Sequence, residues 1–343
     1  MKTDSDIIRY IRFPLIAWVV FLHSVLCFPG KLVEIGCPIS SYFIGFLTIG
    51  IRTPIFFFIS GYCFFLNVKR FDISTYLGKL ERRFHTLLVP YVLWNLIVIG
   101  YLVLAHCYFP NYINNGFENV STWSFVDYVR SFWNKSGGDP IAYQLWFLRD
   151  LMVICIFTPV VWFVIKKLKW ISLVAVVAFY LTNFEIPCKS ALVFFSMGAF
   201  FSINGKSFSD VLKNIYLKYG GIYFWIVLTL FSLAFPKEEV LRKICILFYA
   251  AAFLLLIYYL VLKGYKMPKL LNDSNYFVYL WHGFPVLVAK MLYRRIICPT
   301  TGIEYVIGSF VVWIITLSFA VLLFYLMDRF LPKTTALLIG KKR

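Results

Sequence analysis

Arg12 and His23 stand eleven positions apart in the first apolar stretch of the chain. On an α-helix that spacing is three turns plus roughly 20°, so both side chains share one face, with a rise of about 16 Å between them. A guanidinium is a fixed fork of donors suited to phosphate or carboxylate. An imidazole takes or gives a proton near neutral pH. A helix face carrying both would receive a ligand anion first and present its reactive end to the histidine. The spacing also fits a snorkelling arginine and a core histidine that is simply hydrogen-bonded.

Four further groups carry ionisable or polar side chains at helical spacing. Arg52 begins Arg52-Thr53-Pro54, whose proline suits a first helical turn, and Ser60-Gly61 further on permits close helix contact. Trp146, Arg149 and Asp150 lie at i, i+3 and i+4 and share a face. Arg52 or Arg149 could orient a substrate or steady an oxyanion; Asp150 could neutralise either, or form a purely structural pair. Asn275, Tyr279 and His282 make one stripe at i, i+4 and i+7, which serves a site or polar packing equally well. Lys79, Arg82 and Arg83 belong to the densest basic patch in the chain. That patch could hold the phosphates of a nucleotide-bearing ligand beside Arg12, or could be topological charge alone. The eight cysteines are scattered singly, so no metal site or redox pair is expected. A disulfide among Cys37, Cys107, Cys188 and Cys298 stays open.

These side chains can act together only if helices bring them together, and the composition says which kind. With 61% hydrophobic and 15% charged residues and a mean hydropathy of +0.79, a water-soluble enzyme and a secreted disulfide scaffold are excluded. Apolar runs of about 20 residues suit helices that cross about 30 Å of hydrocarbon, whereas a barrel would show short alternating segments. The predicted spans are 7–28, 43–66, 85–108, 143–166, 170–184, 189–203, 220–236, 243–262, 275–293 and 304–330. The expected fold is therefore an all-α polytopic membrane protein of about ten transmembrane helices, one integral-membrane domain over 1–343 without an appended soluble domain. No cleavable signal is expected, because Asp4 and Asp6 interrupt the usual basic start. The N-terminus, the even-numbered loops and the tail hold more than twice the Lys and Arg of the odd-numbered loops, which predicts that both termini are cytoplasmic. The net charge of +18 is read as this topology rather than as nucleic-acid binding. The longest outer loop, 109–142, reads as turns, whether as a lid, an acceptor surface or a tether. Lys341-Lys342-Arg343 is expected to meet anionic headgroups.

In order along the chain, these features resemble the acyltransferase-3 family of bacterial membrane acyltransferases. Arg12 and His23 match its basic residue, ten residues, then histidine. Pro54 to Tyr62 match its Pro-x-Phe-Phe-x-x-Ser-Gly-aromatic run, and Lys79 to Pro90 resemble its basic stretch before the third helix. Leu145 to Leu148 match Leu-Trp-Phe-Leu, and Tyr279, Leu280 and His282 match Tyr-Leu-x-His. The basic motif departs from the pattern in reading Lys79-x-x-Arg82 rather than a pair of arginines. The resemblance implies a bacterial inner-membrane enzyme with no bound cofactor. Its donor would be cytoplasmic acyl-CoA, usually acetyl-CoA, and its acceptor a hydroxyl of a surface or lipid-linked saccharide. On this reading Arg12, Lys79, Arg82 and Arg83 bind the donor, and His23 with Arg12 is catalytic. Arg52, Arg149, Asp150, Tyr279 and His282 are then candidates for the acceptor or the oxyanion. A transporter or flippase for a lipid-linked glycan, or a non-catalytic partner of a polysaccharide synthase, is the alternative; only the enzyme consumes acyl-CoA.

Overall fold

A computed structural model describes residues 2–48, 52–108, 120–134, 138–219 and 239–341, and all regular structure among them is helical. The first half holds α1 (Lys2–Ser24), α2 (Pro29–Glu34), α3 (Pro38–Leu47), α4 (Arg52–Phe65) and α5 (Ile73–Arg83). A π-helical turn, Phe84–Leu88, joins α5 to α6 (Val89–Tyr108), and the short α7 (Phe125–Ser131) follows. After a 3-10 turn at Tyr143–Leu145 come α8 (Trp146–Ile156), α9 (Thr158–Leu168), α10 (Trp170–Leu181), α11 (Lys189–Ile203) and α12 (Phe208–Tyr219). The remainder is α13 (Glu239–Leu262), α14 (Lys269–Trp281), α15 (Gly283–Ile297), α16 (Gly302–Phe330) and α17 (Pro332–Leu338).

Among the described residues, four stretches are long and apolar enough to cross a membrane: Thr3–Ser24, Ile73–Tyr108, Glu239–Leu262 and Gly302–Phe330. A fifth arises if the pair Tyr143–Ile156 and Thr158–Leu168, bent by 62°, is one span. The expected helix 220–236 lies outside the described residues. Two other expected spans are interrupted, each beside a proline. The 143–166 span breaks at Phe157: Pro159 has no N–H for the Cys155 carbonyl, and Thr158 Oγ1 donates to that carbonyl instead, at 2.7 Å. The 275–293 span breaks at His282, three residues before Pro285, which likewise leaves the Trp281 carbonyl without its helical donor. The expected span 43–66 is covered by two helices, α3 and α4.

The closest packing is between α4 and α11, and glycine permits it. A Cβ on Gly61 would stand 2.0 Å from the Phe195 carbonyl oxygen, and one on Gly198 would stand 1.8 Å from that of Phe58. The two backbones therefore touch, as small residues allow in lipid. Ser202 Oγ adds a bond to the Tyr62 carbonyl at 2.5 Å.

Helix α1 packs against α4, α12, α13, α14, α15 and α16. The Trp18 and Trp313 indoles pin it by donating to the Leu47 carbonyl at 2.6 Å and the Ala17 carbonyl at 2.7 Å. Near its start, buried Asp4 accepts from Tyr62 Oη at 2.6 Å, Ser207 Oγ at 2.8 Å and the Ser209 amide at 3.0 Å. This carboxylate therefore ties α1 to α4 and to the first turn of α12. The helix carrying Arg12 and His23 is thus held by contacts with six other helices.

Candidate active site

One face of α1 forms the wall of a cavity of about 500 Å³. Arg12, Ile16, Val19 and His23 line it, the stripe that a helical period produces from the spacing of Arg12 and His23. Ser60 and Cys63 of α4, Gln144 and Trp146 at the start of α8, and Asn275 and Tyr279 of α14 complete the walls.

The Arg12 end is cationic. Arg12 is exposed, and the half-buried Arg83 lines the same cavity. Arg12, Arg83 and Lys79 are the positive charges around the Cys63 thiol. Lys79 and Arg83, one turn apart on α5, both lie over the Phe64 ring, at 5.7 and 5.8 Å from its centroid. Arg82 is exposed and is not part of the lining. The cation beside Lys79 at this mouth is therefore Arg83 rather than Arg82. Thr86 and Leu87 of the π-helical turn also line this end. The tail expected at the headgroups contributes here too: Lys341 lines the mouth, while Lys342 and Arg343 lie outside the described residues.

The His23 end is aromatic and tightly bonded. The half-buried His23 ring lies 5.1 Å from the Tyr143 ring and 5.4 Å from that of His282. Lys290 Nζ donates to the His23 carbonyl at 3.2 Å, and Arg294 donates to the Leu26 carbonyl. Cations there suit the end of a helix, where carbonyls lack partners.

His282 is fully buried, with Nδ1 at 3.1 Å from the Val278 carbonyl and 2.8 Å from that of Tyr279. Both partners only accept, so the proton sits on Nδ1 and the lone pair on Nε2. Nε2 is buried without a hydrogen-bond partner. In this tautomer His282 can accept a proton but cannot donate to an oxyanion. Tyr279 spends its hydroxyl proton on the Gln144 carbonyl at 2.7 Å. Gln144 Nε2 donates to the Leu280 carbonyl at 3.0 Å, and a Cβ on Gly283 would collide with the Gln144 amide. The break in the α14–α15 pair is thus locked against the turn that opens α8.

Arg149 and Asp150 stand apart from the cavity, although Trp146 lines it. Arg149 donates from Nε and Nη2 to Asp150 Oδ1 at 3.0 and 2.9 Å, and from Nη1 to the Trp133 carbonyl at 2.7 Å and to that of Gly138. The pair thereby fastens Trp133 and Gly138 of the long loop to the first turns of α8. Arg52 is the first residue of α4, and its side chain lies outside the described residues. Tyr143, Lys290 and Lys341 were not legible as site residues. Lys290 does fall eleven positions after Tyr279, on the same helical stripe; Lys341 carried no signal beyond its charge.

Residues 6–329 match the family described as Acyltransferase domain, acyltransferase 3. The chain belongs to the acyltransferase-3 family. The motifs by which its sequence resembled that family contribute Arg12, His23, Ser60, Arg83, Trp146 and Tyr279 to the cavity walls. The chain is also 27% identical over 173 residues to the succinoglycan biosynthesis protein ExoH of Rhizobium meliloti strain 1021, covering 48% of this chain and 44% of that protein. The match spans less than half of the relative. No solved structure matches the chain. All eight cysteines are free.

Proposed function

We propose that this acyltransferase-3 protein moves an acyl group, acetyl in the first instance, from acyl-CoA to a hydroxyl of a cell-surface or lipid-linked saccharide at a bacterial inner membrane. The observation that carries this reading is the single cavity shared by Arg12 and His23. Its cationic mouth faces the cytoplasm and holds the CoA phosphates on Arg12, Arg83 and Lys79. The pantetheine arm lies along Ile16 and Val19, which brings the thioester to His23. The relative's role in succinoglycan biosynthesis favours a saccharide acceptor, which meets the donor at the His23 end.

His23 takes the proton of the acceptor hydroxyl, and the oxygen attacks the thioester carbonyl. The C–S bond breaks, the ester forms, and the imidazolium returns the proton to the leaving thiolate. Atoms and charge balance with CoA leaving as the free thiol. The Trp146 indole and Ser60 hydroxyl lie in the wall beside this path and can donate to the transient oxyanion. Phe56, Phe147 and Leu148 line the same space and limit hydrolysis of the thioester by excluding water.

The test uses protein reconstituted with acetyl-CoA and a saccharide acceptor, with the glycan product weighed by mass spectrometry. His23→Ala is expected to lose the added acyl mass while keeping the wild-type melting temperature. Arg12→Ala is expected to raise KM for acetyl-CoA about tenfold or more, as loss of a charge-assisted phosphate contact does. Transfer retained by His23→Ala overturns the assignment. A glycan translocated without acyl-CoA consumption would favour the flippase.

A further inference from the structure

We propose that the segment 332–341, beyond the matched domain, is a working part of the donor site: it hooks back under the bundle and adds Lys341 to Arg12 and Arg83 on the cavity lining as a further phosphate-binding cation. The inference rests on the acyl-CoA reading above.

The hook is built by a helix ending whose geometry is complete. The Gly340 amide donates to the Leu337 carbonyl at 3.0 Å and the Lys341 amide to that of Ala336 at 2.8 Å, the paired bonds of a Schellman ending. Gly340 has φ +63°, the left-handed conformation that favours glycine. The position needs glycine for a second reason: a Cβ would stand 2.3 Å from the His85 carbonyl oxygen and 2.8 Å from Pro90 Cγ. The turn is therefore seated on the π-helical turn that follows Arg83.

Two further contacts hold it there. The Trp94 indole donates to the Leu338 carbonyl at 3.1 Å, and Ile339, 5% exposed, packs in the main core and lines the cavity. Seated this way, the chain leaves the turn with Lys341 on the cavity wall and exposed to solvent. Asp273 is the one carboxylate among the described residues lining the cavity, so the mouth carries Arg12, Arg83 and Lys341 against a single negative charge. A polyanion such as the diphosphate and 3′-phosphate of CoA is the ligand class this mouth suits. The matched domain ends at residue 329, so this cation is supplied from outside it.

The experiment measures binding of CoA itself by calorimetry, and KM and kcat for acetyl-CoA, on the full chain in lipid nanodiscs. Lys341→Ala is expected to weaken CoA about tenfold and raise KM about as much, with kcat and melting temperature unchanged. Lys341→Arg is expected to restore both, and Lys341→Glu to weaken binding further than alanine. Gly340→Ala, which keeps the lysine but unseats the turn, is expected to raise KM in the same direction. If wild type binds CoA and Lys341→Ala binds it equally well, the inference falls and the donor reading stands. If Ala and Arg weaken binding alike while lowering the melting temperature, Lys341 is structural and the inference also falls. If wild type binds no CoA, the donor reading falls and this role with it.

Discussion

Arg149 shows how far neighbours decide what a charged side chain does. In sequence it shares a helix face with Trp146 and is a candidate for orienting the acceptor or steadying an oxyanion. In the structure its guanidinium is committed to Asp150 and to two loop carbonyls, and the pair lies largely buried, with side chains 13% and 9% exposed. Removing one member of such a pair strands a charge. Arg149→Ala is expected to cost about 3 kcal/mol, seen as a lower melting temperature with kcat per folded molecule little changed. Adding Asp150→Asn should recover part of that stability, because it removes the stranded charge. An Arg149→Ala protein of normal stability that has lost turnover would return this arginine to the chemistry. His282 is a parallel case: the two carbonyls that accept from Nδ1 fix its tautomer, and with it the direction in which it can pass a proton.

Prolines and glycines set the element scale. Pro159 and Pro285 each break an apolar run that hydropathy alone reads as continuous. The second break places His282 against His23, while Pro54 in the first turn of α4 starts a helix rather than ending one. Gly61 and Gly198 let α4 and α11 meet backbone to backbone, which supports the wall carrying Ser60 and Cys63. Gly61→Ala and Gly198→Ala are each expected to destabilise the protein by about 1–3 kcal/mol through overpacking, read as a lower melting temperature in detergent. Their effects should be less than additive, since either methyl already separates the same two helices. Full additivity would mean that the two glycines act at independent contacts.

Across the whole molecule, the donor reading depends on which end of the cavity faces the cytoplasm. The basic residues predict that the Arg12 and Lys341 end does. Cys107 and Cys298, exposed and near the ends of α6 and α15, then face outward. Single-cysteine variants retaining either residue are expected to react with a membrane-impermeant maleimide on intact cells. A cysteine placed at Lys333 should react only after permeabilisation. The reverse pattern would place the cationic mouth outside and deny it cytoplasmic CoA.

The amino-acid sequence by itself determined the class, the family resemblance and the Arg12–His23 face. These follow from local rules: in lipid every backbone polar group must be satisfied internally, so long apolar runs become helices, and helical period then fixes which side chains share a side. Even the break at His282 had a local cause in Pro285, although the stripe 275–282 was read as part of one continuous span. Only the tertiary structure decided which face meets which neighbour. Arg83 rather than Arg82 turns to the cavity, Arg149 turns away from it, and Lys341 arrives from the far end of the chain to stand with Arg12. Those outcomes depend on contacts between segments remote in sequence, such as Gly340 on His85 and Trp94 on Leu338, and no local period encodes them.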